Sequence, residues 1–552
     1  MVKRPSFLLL LISFLIFQTF TIAQIVYEPV GRDIYAFLEK ISQKGIIKFD
    51  DQVRPVPRKY IAEKLLEIIS NQEGLTRLEK EEAEFYLKDY GIETDFIKNH
   101  STSSLDYFGK DPYGRIRLFS YADTLFKLNI SPILGIEAGK SGGSNYSHTW
   151  NGVSLYGYIG EKLGFSFNFR DNDESGNTID RTKQFTPVTG VIAAKQTSQS
   201  LQYSEAHAIL ATDWSWGEIS AGKDFMEWGY GESGLLVLST KAPSFPFIRL
   251  DVHPTDWLRF NYFHAWLNSD IIDSASSYPS FINSIPGFSS RSIFRNKFLA
   301  SHTITVTPTR GVDISLGESI IYSDKLEFAY LIPINFFRLT DHYLSSANDG
   351  AGGNAQFFFG ASSRNNIKNT HLYGTCFIDE LTIEGLLKSS EQRNQFGFTL
   401  GGSITDLPVE NLTAVIEYTK IYPFVYSHYI PTQLYTNSSY LLGDWMGNNA
   451  DRIYASLNYR VIRGLQGTIW AQYIRKGESG TALDQYTQPQ PPFLFGLRNN
   501  YTYFGFDIKY EITHELFVRC KFQNQLTSAE IINGVFNDIT SRELLFSVYY
   551  GM

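Results

Sequence analysis

From about residue 112 to its last residue, the hydrophobic period of this chain is two. In "HTITVTPTRGVDISLGE", Ile304 and Val306 alternate with Thr303, Thr305 and Thr307, a turn spans Pro308 to Gly311, and Val312, Ile314 and Leu316 then alternate with Asp313 and Ser315. "RIYASLNYRVIRGLQGTIWAQYI" repeats the arrangement. Ile453, Ala455, Leu457, Tyr459 and Val461 share one parity, Arg463-Gly464 turns the chain, and Leu465, Ile469, Ala471 and Tyr473 resume the apolar phase. Such segments read as strands of about ten residues paired in hairpins. Because successive side chains point to opposite faces, each strand sets one apolar face against one polar face.

Longer polar stretches separate the hairpins, beginning at Asp171, Asp273 and Lys476. Short turns at one end and long loops at the other are the asymmetry of an outer-membrane barrel. The 34 Tyr and 42 Phe, set against a mean hydropathy of -0.18, suit a wall with one apolar face and many residues at water interfaces. At roughly 22 to 26 residues per strand with its connection, about 440 residues give about 16 to 20 strands. The expectation is an all-β transmembrane barrel of about 18 antiparallel strands, wide enough to hold water or to need internal filling. The end, "SRELLFSVYYGM", alternates Leu544, Phe546, Val548, Tyr550 and Met552. It resembles the terminal-strand signal that barrel-insertion machinery reads, with Met in the last place instead of Phe or Trp.

At the other end, Lys3 and Arg4 precede an uncharged run from Phe7 to Phe20, and Thr21-Ile22-Ala23 supplies the small residues of a cleavage site. This reads as an export signal over residues 1–23, cut after Ala23; the alternative is an uncleaved anchor. No later segment reaches the roughly 18 uninterrupted apolar residues of a membrane helix, so integral membrane contact requires a closed barrel. The expected location is the outer membrane of a Gram-negative-type (diderm) bacterium, in contact with its lipid. The two cysteines, Cys376 and Cys520, fall at apolar-phase positions and read as small hydrophobes instead of a bridge. A net charge of -8 and a pI near 5.8 argue against a nucleic-acid partner. Ten scattered histidines with no H-E-x-x-H and no cysteine cluster signal no metal, and no other cofactor is indicated. There is no G-x-S-x-G and no defensible Ser-His-acid set, so the chain does not read as an enzyme.

Residues 24–105 are expected to form a small periplasmic helical module, with the barrel over 106–552. Ile34, Phe37, Leu38 and Ile41 lie on one helical face, with Asp33 as a cap and Gly45 as the stop. Pro57 opens a second helix carrying Ile61, Leu65, Ile68 and Ile69, and Thr76 with Glu79 forms a capping box for a third that ends at Gly91. "YAFLEKISQKGII…RPVPRKYIAEKLLEI" resembles one repeat of a surface-layer-homology module, which implies peptidoglycan or another periplasmic partner. The other reading is a helical cap with no ligand.

Inside "KDFMEWGYGESGLLVLST", Gly229, Gly231 and Gly234 satisfy G-x-G-x-x-G. A dinucleotide cradle needs a strand before these glycines and a helix after them. Here "LLVLS" and then Lys-Ala-Pro follow, so the glycines instead let a loop or strand corner pack tightly. The preceding strand puts Glu218, Ser220, Gly222 and Asp224 on its polar, lumen-facing parity. Asp224, Glu227 and Glu232 lie near Trp228 and Tyr230, a mixture suited either to stacking on a sugar ring or to an aromatic and carboxylate network in the lumen. Glu318 shares the parity of Ile314 and Leu316: either Gly317 is a bulge that turns it inward, or the strand has left the apolar band. "AYLIPINFFRLTDHYL", with Pro333, reads as an internal helix or constriction, or else as an interfacial aromatic girdle. Trp445, Asn448, Asn449, Asp451, Tyr486 and Phe493 give the outer loops the aromatic and amide mixture that carbohydrate binding uses.

"AGKDFMEWGYGESGLLVLSTKAPSFPFIRL" resembles the signature of the capsule-assembly Wzi family of outer-membrane barrels, which has an Asp, then Trp-Gly-x-Gly, then an apolar run ending in Ser. The order continues in His302, Gly317, Glu318, Tyr330, Pro333 and Phe336, and then in Asp349, Asn354, Tyr426 and His428, over most of residues 110 to 552. The resemblance implies an 18-stranded barrel with a periplasmic helical part and an obstructed lumen. It also implies a role in holding capsular or other surface polysaccharide at the cell exterior. A diffusion channel for small polar solutes is the alternative.

Overall fold

The computed structural model describes residues 25–551 apart from 99, 101, 161, 281–289, 349–351, 381–394, 482 and 533. The leader read over residues 1–23, Asp349 and Met552 lie outside the described residues. The alternation closes on itself. Among the described residues eighteen antiparallel strands form a ring, and the last, Val535–Tyr550, pairs with the first, Phe126–Ser141, from Glu543↔Ser141 to Tyr550↔Leu134. Closure leaves no strand edge unpaired. A short hairpin of Ser104–Lys110 and Ile116–Ala122 is added against the start of the first strand.

Parity is kept along the wall. Ile304, Ile314, Leu316, Ile453, Leu457 and Ile469 stand exposed on the outside, whereas Thr303, Thr305 and Ser315 are buried on the inside. Connections at one end are tight, as at Thr309–Val312 and Ile462–Leu465, where Gly464 supplies the left-handed φ of +77°. At the opposite end the chain runs long between Gly176 and Ser200, Asp224 and Phe245, Ser323 and Asn354, Ile421 and Ala450, and Lys476 and Asn499. Both cysteines are free.

The N-terminal module has four helices: α1 (Asp33–Gln43), α2 (Arg58–Ser70), α3 (Arg77–Leu87) and α4 (Gly91–Ile97). Phe37, Leu38, Ile41, Ile61, Leu65 and Ile68 form their common core. None of the described helices is long and apolar enough to cross a membrane. The capping box is made, since Thr76 Oγ1 accepts from the Glu79 N–H and Glu79 accepts from the Thr76 N–H. Two details differ from expectation. Asp33 is the first residue of α1 and makes no cap; its carboxylate pairs instead with Lys509 of the barrel at 2.5 Å. Gly91 does not stop α3. The chain tightens through Lys88–Tyr90 and Gly91, whose backbone is helical at φ -61°, opens α4; the missing side chain makes room for the Tyr113 ring.

The module sits across the short-turn end of the barrel. Arg32 meets Glu515 at 2.6 Å, Lys44 meets Asp406 at 2.7 Å, Asp51 meets Arg364 at 2.7 Å, Glu82 meets Arg460 at 2.8 Å and Asp89 meets Arg117 at 2.8 Å. These partners are spread around the ring of turns, so the ion pairs fix where the module sits more than how strongly it is held.

Candidate functional site

The lumen is filled by the protein's own chain. From the module, Tyr27 OH donates to Glu218 at 3.1 Å and lies beneath the Arg249 guanidinium, while Gln52 accepts from Thr305 Oγ1 at 2.7 Å. Val53–Arg54 then pairs as a two-residue strand with Glu227–Trp228, which has come from the opposite end. The loop after Asp224 therefore turns down into the barrel and meets the module inside it.

The glycines make that turn possible. Gly229 has φ +103° and donates to Gln52 O at 2.9 Å. A side chain on Gly231 would strike Gly234 O, and one on Gly234 would strike Asp444 and come within 2.9 Å of Arg452 Nη2. Trp228 is 1% exposed, edge-on to Phe263 at 5.1 Å and to Phe358 at 6.2 Å. The Tyr230 N–H donates to Thr375 Oγ1 at 3.0 Å, and the Glu232 and Ser233 N–H groups donate to Glu417 at 2.6 and 3.1 Å. Leu236, Val237 and Leu238 are buried in the apolar core of the lumen.

The connection from Ile421 to Ala450 lies over this loop as a lid. Tyr426 OH donates to Leu236 O at 2.7 Å, Tyr435 OH to Val237 O at 2.8 Å, and Trp445 Nε1 to Ser233 O at 2.9 Å. Asp444 accepts both Arg452 Nη atoms, at 3.1 and 2.8 Å. A third segment closes in from the side. Phe185 packs against Tyr501 of the wall at 4.7 Å and Trp445 at 5.3 Å, and the Lys241 ammonium is held by the carbonyls of Lys183, Thr186 and Val188.

Most of the residues expected to touch a ligand are thus engaged in this packing. Trp228 and Tyr230 are in the plug, and Asp224 is buried where its strand ends, accepting the Phe225 N–H at 2.8 Å. Trp445 is in the lid, and Asn448 donates to Ser427 Oγ at 3.2 Å. Asp451 is on the outer wall, paired with Arg475 at 2.5 Å. Glu318 resolves neither as a bulge nor as a residue beyond the apolar band. Its register is unbroken (Glu318↔His302, Gly317↔Thr303), it faces outward, and it accepts the N–H groups of Phe337 and Arg338 at 2.8 and 2.5 Å. Those two residues begin α5 (Phe337–Asn348), so the stretch around Pro333 packs on the outside of the barrel and forms no constriction within it.

One exposed aromatic cluster in the long loops was disclosed by the sequence only in part. Tyr429 is 53% exposed and meets Tyr486, 38% exposed, edge-on at 6.4 Å; the His428 ring lies 4.4 Å from Tyr429. Tyr486 stood out as a loop aromatic. Tyr429 did not, because its partner is 57 residues away and "YSHYIP" carries no period. Two phenol faces beside an imidazole suit the apolar faces and hydroxyls of a sugar ring.

Closed wall, apolar exterior, short turns, long loops and a chain-filled lumen define an outer-membrane β-barrel with an obstructed bore. The fold is that of Wzi. The solved structure of Wzi from Escherichia coli, described as a carbohydrate-binding β-barrel involved in group 1 capsule assembly, matches with a TM-score of 0.56 at 12% identity, covering 96% of this chain and 100% of that one. Two further solved structures are more distant: OccAB1 of Acinetobacter baumannii (TM-score 0.42, 11% identity, 82% and 99% covered) and OprD of Pseudomonas aeruginosa (0.40, 10%, 82% and 98%). No protein-family profile and no curated protein matches the sequence.

Proposed function

We propose that this barrel binds exported surface polysaccharide at the cell exterior and does not conduct solutes. The observation that carries the reading is the filled lumen. Module, inner loop and lid meet inside the barrel, and the Tyr429–Tyr486 cluster stands exposed in the long loops. The likeness to a carbohydrate-binding barrel supports the same reading. In this reading the chain is exported by its cleaved leader, placed in the outer membrane of a diderm bacterium by the barrel-insertion machinery, and oriented with its module in the periplasm. It binds without turnover.

Purified full-length protein is expected to bind surface polysaccharide extracted from its own host. Replacing Tyr429 and Tyr486 together by Ala is expected to weaken binding about tenfold or more, since truncating an anchoring aromatic typically costs over 1 kcal/mol. Titration on immobilised polysaccharide reads this directly. Absence of binding by the parent protein would defeat the proposal; equal binding by the variant would remove the aromatic cluster from it.

A further inference from the structure

A stretch of outer wall is polar where lipid should be. On three adjacent strands the outward parity carries Glu318, His302 and His264, set among Tyr262, Phe298, Ala300, Ile320 and Tyr322. Cross-strand register places this patch between apolar neighbours. Glu318 pairs with Phe357 on one side, next to Phe359, and His264 pairs with Ile248 on the other. Phe359 and Ile248 stand exposed at 45% and 39%, and Leu316, two residues from Glu318 toward the short turns, at 59%. The patch therefore lies within the apolar belt, where a bare carboxylate would be costly.

Lys325 to Asn348 covers it. Tyr262 OH donates to Tyr330 O at 2.8 Å, His264 Nε2 and Tyr322 OH share a hydrogen bond of 2.7 Å, and the Phe337 ring lies 4.5 Å from His302. Backbone donors are satisfied within the segment: Tyr330 to Glu327, Ile332 to Ala329, Asn335 to Ile332 and Thr340 to Phe336. The first N–H groups of α5, which have no partner in a helix, are taken by Glu318. Pairing of backbone donors within the protein is what hydrocarbon demands of a backbone placed in it. On the side facing away from the wall stand Phe328, Ile332, Ile334, Phe336, Leu339 and Tyr343, each more than half exposed and Ile334 at 83%. Arg338 and His342 form a parallel polar stripe one residue over on α5.

We infer that Lys325–Asn348 is an in-plane membrane element whose occupant is outer-leaflet lipid. Acyl chains cover its apolar face, and Arg338 and His342 lie at the headgroup boundary, as on an interfacial helix. The exposed face continues the lipid-facing belt on both flanks, and Glu318 is shielded from lipid beneath the helix start that it caps. The inference requires a membrane-inserted barrel and is independent of the polysaccharide reading.

The test places single tryptophans in the full chain by Ile334→Trp, Leu316→Trp in the belt and Ala275→Trp in an outer loop, each reconstituted in phosphatidylcholine vesicles with dibrominated acyl chains. With the parent's emission subtracted, Ile334→Trp is expected to be quenched as strongly as Leu316→Trp, and Ala275→Trp to stay bright. A bright Ile334→Trp beside a quenched Leu316→Trp would overturn the inference. So would formation of a disulfide-linked dimer by Leu339→Cys, and not by the parent with its native Cys376 and Cys520, in the same vesicles, which would make a second copy the occupant.

Discussion

At the scale of single residues, the lumen is organised by glycines that bring chain against chain. Gly234 leaves the space in which Asp444 and Arg452 form a buried pair, with side chains 0% and 1% exposed. Gly234→Ala is expected to cost about 1–3 kcal/mol by overpacking. Amide exchange at Ser239, whose N–H is bound to Leu442 O at 2.8 Å, should then quicken about ten- to a hundredfold. Unchanged exchange would show that the inner loop is held by something else. The spacing of Gly229, Gly231 and Gly234 is visible in the sequence, and so is the absence of a helix after them. Their partners are not visible, because Trp445 reaches Ser233 across 212 residues and no local pattern encodes such a contact. For the same reason Trp445, Asn448 and Asp451, polar or amphipathic residues in apparent loops, could not be told from solvent-facing ones.

Among the elements, the module is the one whose attachment can be tested. Arg460 and Glu82 are both nearly buried, so Arg460→Met leaves a carboxylate unpaired and is expected to weaken docking by about 3–5 kcal/mol. Protease cleavage within residues 33–97 of the folded barrel should rise accordingly; an unaltered digestion pattern would count against docking through these pairs. Proton linkage gives a second prediction. Burial pushes the Asp89 carboxyl up, but His514, Arg58 and Arg117 hold it well below the usual range. Burial likewise opposes, and the hydrogen bond from Lys44 and the charge of Lys40 outweigh it, at Asp406, which is also lowered. Carboxyls lowered in the folded state stabilise it above their unfolded value near 4, and that stability is lost only as pH falls through the lower folded values. Glu28, raised by burial against the pull of Arg58 and Arg32, works in the opposite sense and gains as acid is added. Docking is therefore expected to hold from about pH 8 down to about pH 4 and to weaken progressively as the pH falls below that; protease release of the module near neutral pH would contradict this. Helix faces were readable from the 3.6 period, and the Thr76 capping box from four letters. The fourth helix was not, because Gly91 looks like a stop unless Tyr113 is known to lie against it. The place of α5 also eluded the sequence, since an amphipathic helix fits the inside of a barrel as well as its outside.

For the whole molecule, alternation, turn spacing and the asymmetry of loops were enough to read a barrel of about 18 strands, because in a closed sheet between lipid and water those patterns are set locally. What fills the bore depends on contacts between distant segments and became clear only in three dimensions. Full-length protein in a planar bilayer is expected to give no steady single-channel current; large, stable openings would mean that the inner loop and module leave a path and would restore the diffusion-channel reading. The role itself is tested most directly in the organism, by deleting the gene and measuring cell-associated against shed polysaccharide. Loss of cell-associated polysaccharide to the medium, reversed by the parent gene and not by one carrying Tyr429→Ala and Tyr486→Ala, is the predicted result. Full retention on the deleted cells would contradict it.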